Sequence, residues 1–226
     1  ALHLWKRTTN AIIRESLRSL RKLPVAKKSD NIPREVFDAS KSKRKKYQNL
    51  VIGRSGWWPL FCYEIIITFA SRMPGALGRF LRSKLYPVLL GACGRNVFIG
   101  ADITLRHPHK IRIGDDVVID DGCVLDAKGS SNQGISIGNG VFLGRQTSIN
   151  TKDGNIVLED GVNISSFCMV FSASHVQCGK DTLIAAYTYL VGGGHAMGDA
   201  ALASLFAVSY THLRAHETEA DLVCRL

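Results

Sequence analysis

The sequence lacks any Cys-x-x-Cys pair, and its six cysteines are scattered between positions 62 and 224. Four of them occupy positions that the repeat described below otherwise fills with small or aliphatic residues, namely Cys93, Cys123, Cys168 and Cys178. We interpret these four as small buried apolar side chains, which excludes a disulfide framework. Without such a framework, a reducing, cytoplasmic setting is expected.

The sequence also lacks a nucleic-acid-binding signature, a recognisable signal peptide and an apolar stretch long enough to span a membrane. No helix-turn-helix, zinc-finger or RNA-binding signature accompanies the basic residues, so no nucleic-acid partner is expected. The basic start carries no recognisable cleavable signal peptide. An apolar stretch runs from Leu60 to Ala70, interrupted by Glu64 and Thr68. It is shorter than the roughly 20 apolar residues that a spanning helix needs, so it predicts no full membrane span.

Positive charge is confined to the first quarter of the chain. Residues 1–56 hold fifteen Lys or Arg and four Asp or Glu, whereas the remainder holds fourteen and fifteen. The formal excess of +10 therefore belongs to this arm, and its densest run lies at residues 41–46. Such a run is typical of a solvated tail, so residues 1–56 are predicted to form a flexible basic arm.

Residues 57–92 are predicted to form a helical segment with an apolar part and an amphipathic part. Trp57 and Trp58 begin it, and Pro74 separates the two parts. In the second part the leucines and Phe80 share one helical face, while the basic residues lie elsewhere. An aromatic-flanked apolar helix before a basic amphipathic helix favours contact with a membrane surface. A helical cap on the following domain is the alternative, and the two interpretations are compatible.

The dominant feature is a repeat of eighteen residues, made of three hexads, that recurs five times between Cys93 and His195. Each hexad begins with an aliphatic residue or Cys, and small or β-branched residues recur at its fifth position. The first hexads of the five repeats read CGRNVF, IGDDVV, IGNGVF, LEDGVN and CGKDTL. Such a period indicates one flat face for each hexad and one triangular coil for each repeat.

The hexad positions carry specific structural predictions. The first residue is predicted to point inward and stack on its equivalents in neighbouring coils, and the fifth to fill the corner. Glycine at the second position, as at Gly100 and Gly144, is predicted to allow a corner geometry that a Cβ would strain. A β-sandwich is the alternative, but it needs turn signals about every 8–12 residues and strict alternation.

This repeat resembles that of the hexapeptide-repeat superfamily over roughly residues 93–195. The resemblance implies an all-β core, a left-handed parallel β-helix of about five coils, here preceded by the α-helical segment. The expected domains are the arm at 1–56, the helical segment at 57–92, the β-helix at 93–199 and a tail at 200–226. The tail loses hexad periodicity from about residue 208 and resembles translated adaptor sequence, so we interpret it as non-native or truncated.

Histidines are the candidates for catalysis. His175 and His195 both close third hexads and lie 20 residues apart, which is about one coil. They are therefore predicted to stack at one corner of neighbouring coils, within roughly one strand spacing of 4.7–4.9 Å. His195 is the stronger candidate because it follows Gly192, Gly193 and Gly194, where the backbone can approach a ligand closely.

The segment from Gly192 to Asp199 resembles the histidine-containing loop of hexapeptide-repeat O-acetyltransferases such as the maltose and galactoside enzymes. In that family the loop histidine is the general base that activates an acceptor hydroxyl for attack on acetyl-CoA. The resemblance therefore implies His195 as the base, while the N–H groups of Gly193 and Gly194 serve the acyl donor and the oxyanion. The usual Asp directly after this histidine is absent, so the orienting partner of His195 stays unassigned.

Four further residues are weaker candidates. Ser165 aligns with a family Asn that holds the acceptor, and His175 is either an accessory substrate contact or a plain corner residue. Tyr187 and Tyr189 precede the glycine loop. They either line an acceptor groove or form ordinary surface and subunit contacts.

The expected function is transfer of an acetyl group from acetyl-CoA to a hydroxyl of a sugar or exopolysaccharide precursor. Residues 104–121 and the segment FSASHV at 171–176 resemble acyltransferases of exopolysaccharide and colanic-acid-type biosynthesis. The resemblance implies a carbohydrate acceptor, a homotrimer with active sites between subunits, and a peripheral position at the inner membrane. It also implies that most CoA contacts lie in coils after the catalytic loop, so activity is expected of the complete protein rather than of this fragment.

Three other functions stay open: a non-catalytic β-helix scaffold, an amino-sugar N-acyltransferase, and a protein like the gamma-class carbonic anhydrases. The last needs about three converging metal ligands. His107 and His109 lie about four coils from His195, too far to share an ion within one subunit. No metal is therefore expected.

Overall fold

The computed structural model describes residues 42–193 and the backbone of residues 210–213. Three helices come first, namely α1 (Lys43–Tyr47), α2 (Trp57–Ala70) and α3 (Gly75–Leu89). A π-helical turn at Gln48–Ile52 follows α1, and a short 3₁₀ turn occupies Pro108–Lys110. The other regular elements of the described part are short β-strands, which confirms an all-β core preceded by helices.

The described strands form three parallel sheets, one on each side of a solenoid. Sheet A contains β1 (Ala92–Cys93), β4 (Ile111–Ile113), β7 (Ile135–Ile137), β10 (Asn155–Leu158), β13 (His175–Cys178) and β16 (Tyr210–Leu213). Sheet B contains β2 (Phe98–Ile99), β5 (Val118–Ile119), β8 (Phe142–Leu143), β11 (Asn163–Ile164) and β14 (Leu183–Ile184). Sheet C contains β3 (Thr104–Arg106), β6 (Val124–Asp126), β9 (Ser148–Thr151), β12 (Met169–Ser172) and β15 (Tyr189–Gly192). Because the chain visits sheets A, B and C in turn five times, the five predicted coils are confirmed.

The hexad starts stack on one another as predicted. In sheet B, Ile99, Ile119 and Leu143 are successive ladder partners, and all three are buried. Residues at the fifth hexad position, such as Val117 and Thr147, are buried as well. Side chains alternate between the two faces of a strand, so each sheet contributes a continuous inward column to one core.

Glycine at the second hexad position is required by the close spacing of neighbouring coils. A Cβ on Gly100 would lie 2.6 Å from the backbone nitrogen of Asp121, and one on Gly144 would lie 2.6 Å from that of Ser166. Left-handed backbone occurs instead at the fourth hexad position, for example at Asn96 with a φ of 55°. The constraint on these glycines is therefore a steric one between coils, and the unusual dihedral angles lie two residues later.

The corner between sheets A and B carries a ladder of hydrogen bonds from backbone to side chains. The N–H of Arg95 donates to Oδ1 of Asp115 at 2.7 Å, and the N–H of Asp115 donates to Asn139 at 2.8 Å. The N–H of Asn139 in turn donates to Oδ1 of Asp160 at 2.8 Å. These backbone donors hold the pKa of the Asp115 and Asp160 carboxyls below its ordinary value. Asp or Asn at the third position of the first hexad in coils two to four thus ties each of these coils to the one before it.

Helices α2 and α3 pack on the first coil and cap that end of the solenoid. The hydroxyl of Tyr63 in α2 donates to the carbonyl of Leu105 at 2.7 Å. The buried guanidinium of Arg82 in α3 donates to the carbonyls of Ile99 at 3.1 Å and Met73 at 2.8 Å. A cationic side chain that serves backbone carbonyls of several elements fixes their relative position. The helical cap is therefore confirmed.

The predicted flexible arm at 1–56 reaches too far along the chain, because α1 and the following turn belong to the cap. The hydroxyl of Tyr47 donates to the carboxylate of Glu64 at 2.5 Å, and the N–H of His107 donates to the carbonyl of Val51 at 2.7 Å. Composition did not reveal these contacts, since a dense run of basic residues is more typical of a solvated tail. Residues 1–41 lie outside the described part of the chain.

Strand β16 extends sheet A beyond the fifth coil. It pairs in parallel with β13, with Tyr210 opposite His175 and Leu213 opposite Cys178. The sequence predicted no regular coil here, because hexad periodicity is lost from about residue 208. Backbone pairing needs no hexad side chains, so the strand forms without the sequence pattern.

Candidate functional site

The described part of the predicted site lies at the corner between sheets C and A, in the fourth and fifth coils. Strands β12 and β15 end side by side there, because Ser172 and Gly192 are ladder partners. The carbonyl of Gly192 accepts hydrogen bonds from the N–H groups of Ala173 at 2.7 Å and Ser174 at 3.1 Å. The hydroxyl of Ser172 adds a hydrogen bond to the carbonyl of Asn155 at 3.0 Å. Backbone contacts and small side chains therefore hold the corner.

The two described glycines of the loop each have a structural reason. A Cβ on Gly192 would lie 2.6 Å from the carbonyl oxygen of His175. Gly193 has a φ of +112°, a conformation that residues with a Cβ rarely adopt. Gly194 and His195, which are predicted to complete the site, lie outside the described residues. The role of His195 thus stays a prediction.

His175 begins β13 at the same corner and is half-buried. Its ladder partners are Asn155 in the preceding coil and Tyr210 in the following strand. The predicted stacking of His175 with His195 stays a prediction, because His195 lies outside the described residues.

A polar network on sheet A reaches the His175 ring. The carboxylate of Glu159 accepts from the amide nitrogen of Gln177 at 2.6 Å and from the N–H of Lys180 at 3.1 Å. The amide oxygen of Gln177 then lies 3.5 Å from Nε2 of His175. This distance is long for a hydrogen bond, but Glu159 fixes the amide so that its oxygen faces the imidazole.

Ser165 lies at a different corner, between sheets B and C. Its carbonyl accepts from the hydroxyl of Thr147 at 2.9 Å, and its N–H donates to the carbonyl of Ile184 at 2.9 Å. Strand β12 separates this corner from the one between sheets C and A. The structure therefore brings Gly193 and His175 together but does not bring Ser165 to them within one chain.

An exposed aromatic pair stands beside Ser165. Phe167 and Tyr187 stack with their ring centroids 5.1 Å apart and 4° between their planes. Both have left-handed backbone, with φ values of 61° and 62°, which is unusual for bulky residues. In the sequence, this pair is marked by aromatic residues at the fourth position of the second hexad. The preceding coils carry Asp102, Gly122 and Gln146 at this position. The fourth and fifth coils thus present a flat apolar surface at this corner.

The buried thiols of Cys123 and Cys178 are poor nucleophiles. Burial raises the pKa of Cys123 to about 11 and that of Cys178 to about 12. A thiol must ionise to attack, so both stay protonated and inert near neutral pH. This agrees with the interpretation of these cysteines as small apolar core residues, and the described cysteines form no disulfide.

His107 and His109 hold the N-terminal turn against the first coil. Their rings stack with centroids 6.0 Å apart, and Nε2 of His107 lies 2.9 Å from the carbonyl oxygen of Asn49. A Cβ on Gly53 would lie only 2.6 Å from the His107 ring, so this turn needs glycine there. The two histidines are thus part of the cap. Within residues 42–193, no cluster of three or more His, Cys, Asp or Glu side chains has a geometry suited to a metal ion.

The free energy of unfolding is expected to fall as the pH is lowered from about 6.5 towards 4. Burial lowers the pKa of His107 and lowers that of His109 to about 4, with the nearby Arg54 adding to the second shift. An unfolded histidine titrates near 6.5, so below that pH the unfolded chain binds more protons than the folded chain. Stability from these neutral rings is therefore complete above about 6.5 and is lost below it.

Urea unfolding across this pH window, followed by circular dichroism, measures the effect. His109→Gln should weaken the pH dependence because it removes one of the titrating groups. An equally steep pH dependence in this variant would rule out the histidine pair as the cause.

No protein-family model matches the chain, and no curated protein sequence matches it. Among solved structures, it is similar to a hexapeptide-repeat-containing acetyltransferase from Vibrio cholerae O1 biovar eltor in complex with acetyl coenzyme A. That likeness covers 57% of this chain and 74% of the other at 20% identity, with a TM-score of 0.48. The chain is also similar to a variant of AntD, an N-acyltransferase from Bacillus cereus in complex with dTDP and coenzyme A. There 48% of this chain and 70% of the other are covered at 21% identity, with a TM-score of 0.36. Both likenesses concern the fold.

Proposed function

We propose that this chain transfers an acetyl group from acetyl-CoA to a hydroxyl of a sugar or exopolysaccharide precursor, with His195 as general base. The observation that carries the proposal is the end of β15. The strand ends at a solenoid corner on Gly192, Gly193 follows it, and His195 comes two residues further on. A histidine next to exposed backbone N–H groups supplies both a base and an oxyanion site.

The chemistry needs only these groups and the thioester. The neutral imidazole of His195 takes the proton of the acceptor hydroxyl as its oxygen attacks the thioester carbonyl carbon. The N–H groups of Gly193 and Gly194 stabilise the negative charge on the carbonyl oxygen of the tetrahedral intermediate. The intermediate collapses with cleavage of the carbon–sulfur bond, and the imidazolium returns its proton to the departing CoA sulfur. The products are the acetyl ester and free CoA.

The remaining candidate residues have supporting parts in this proposal. His175 lies at the same corner as Gly193, and the Gln177–Glu159 pair limits the rotation of its ring, which suits a contact to the acceptor. Ser165 belongs to the other corner, so a contact with the acceptor requires the proposed homotrimer to bring the two corners of neighbouring copies together. The stacked pair at Phe167 and Tyr187 lies beside Ser165 and suits packing against a sugar ring or against another copy.

An acetyl-transfer assay on the full-length protein tests the proposal. Acetyl-CoA is incubated with matched hydroxyl and amino sugars, free CoA thiol is followed over time, and mass spectrometry identifies the acetylated acceptor. Acceptor-dependent CoA release with formation of a sugar ester is the expected result. Amide formation alone would indicate an N-acyltransferase, whereas no release with any acceptor would indicate a scaffold. Either result would overturn the proposal.

A further inference from the structure

Helix α2 exposes a row of large apolar side chains on the face turned away from the solenoid. The opposite face carries Tyr63, Ile66 and Ala70, which are buried against the first coil and α3. The exposed row comprises Trp57, Trp58, Phe61, Ile65 and Phe69, here called the apolar helix face. Its members are mostly spaced by three or four residues, so they lie along one side of the helix. Trp58 is 74% exposed and Phe69 is 61% exposed, so both ends of the row are largely open to solvent.

Helix α3 packs beside α2 and repeats the arrangement. It buries Gly78, Arg82 and Tyr86, while Leu77 and Phe80 are more than half exposed. Soluble surfaces carry isolated apolar residues, but the row of five along one side of α2 forms a patch that needs an occupant. The patch is separate from the corner that carries the proposed function.

The charge around this patch defines the chemistry of that occupant. Residues 42–90 contain nine Lys or Arg, of which Arg82 is buried and Arg72 pairs with Asp102. Their single acidic residue, Glu64, already accepts a hydrogen bond from Tyr47. The guanidinium of Arg44 lies 4.2 Å from the ring centroid of Trp57, which places the basic helix α1 directly beside the aromatic end of the face. An occupant must therefore be apolar within and negatively charged at its surface.

We propose that the apolar helix face docks on the surface of an anionic lipid bilayer. Tryptophan beside basic residues suits the boundary between acyl chains and headgroups, where the rings enter the apolar layer and the cations meet lipid phosphates. A second copy of the chain fits less well, because a symmetric contact through this face would bring two sets of basic residues together.

The length of α2 and its packing against the cap require the helix to lie in the plane of the bilayer surface. No helix in the described part of the chain combines the length and apolar content needed to cross a bilayer. Helix α2 has 14 residues. At 1.5 Å per residue it spans roughly 21 Å, against about 30 Å for a hydrocarbon core. Its inner face is already committed to the cap, so α2 lies flat on the membrane with the solenoid on the aqueous side.

Vesicle flotation of the full chain tests this docking. Vesicles of phosphatidylcholine alone are compared with vesicles that also contain an equal share of phosphatidylglycerol. The test variant combines Phe61→Ser, Ile65→Ser and Phe69→Ser, which removes apolar side chains and keeps every charge. The matched control combines Phe142→Ser, Met169→Ser and Leu183→Ser, which are exposed apolar residues of the solenoid. Circular dichroism and thermal unfolding verify that both variants are folded.

The wild-type chain and the control are expected to float with the anionic vesicles, and the test variant to bind at least about tenfold more weakly. In a Trp5→Phe background, the emission of Trp57 and Trp58 should shift to shorter wavelength on binding. Three outcomes would overturn the proposal. The first is absence of flotation. The second is undiminished flotation of the test variant, which would assign binding to charge alone. The third is that the test variant loses self-association but keeps its binding to vesicles.

Discussion

Replacement of His195 by alanine is expected to lower kcat for acetyl transfer by about 10²–10⁴-fold while leaving KM for acetyl-CoA nearly unchanged. The acceptor hydroxyl is a poor nucleophile until its proton is removed, and the proposed site offers this imidazole as the base. Because the base must be neutral, kcat/KM of the wild-type enzyme should also fall below a pH of about 6.5, the ordinary pKa of imidazole. Initial rates from CoA release across a pH series measure both effects.

His175→Ala is the matched control for this prediction. His175 lies at the same corner but is half-buried, begins a strand and contacts Gln177, so it suits positioning rather than proton transfer. Its loss is expected to change the rate by at most about tenfold and to act mainly on KM for the acceptor. Thermal unfolding checks that both variants are folded. A His195→Ala enzyme with wild-type kcat, or equal losses in the two variants, would refute the assignment of the base.

Leu143→Ala is expected to lower the free energy of unfolding by about 2–5 kcal/mol. Leu143 is a hexad start with 0% exposure, stacked between Ile119 and Ile164 in sheet B. Truncation leaves a cavity at the centre of the solenoid, where each coil is stabilised mainly by its two neighbours. Urea unfolding followed by circular dichroism provides the measurement.

Leu183→Ala supplies the comparison in the same sheet. Leu183 precedes a hexad start instead of occupying it, and 71% of it is exposed. Its truncation should change stability by no more than about 0.5 kcal/mol. Similar losses at Leu143 and Leu183 would mean that the alternation of buried and exposed positions in sheet B is wrong.

Much of the solenoid could be predicted from the sequence because its signal is local and repeated. An aliphatic residue every six positions is enough to place Ile99, Ile119 and Leu143 in one inward column, which the ladder pairing confirms. The inward position of Cys178 followed from the same rule, and its burial agrees. The helices before the solenoid could also be predicted, from the apolar spacing between Trp57 and Leu89.

Other features depend on contacts between distant residues and could not be predicted. The arm ends before Tyr47 because this residue bonds to Glu64, and no composition rule distinguishes such a basic run from a solvated tail. The pairing of His175 with Tyr210 in sheet A also could not be predicted, because hexad periodicity is lost from about residue 208.

By itself, the sequence determined the parallel solenoid, the inward columns and the corner at which the glycine loop begins. A period of six repeated fifteen times indicates a coil in which most hexad starts are buried at once. Only the tertiary structure decided that Ser165 and Gly193 lie at different corners, that Phe167 stacks on Tyr187, and that α2 exposes an apolar face beside a basic helix. Periodicity specifies which side of a strand is buried. Contacts between residues of different coils and helices depend instead on the lengths of the connecting segments and on which elements pack against the outer face of the solenoid.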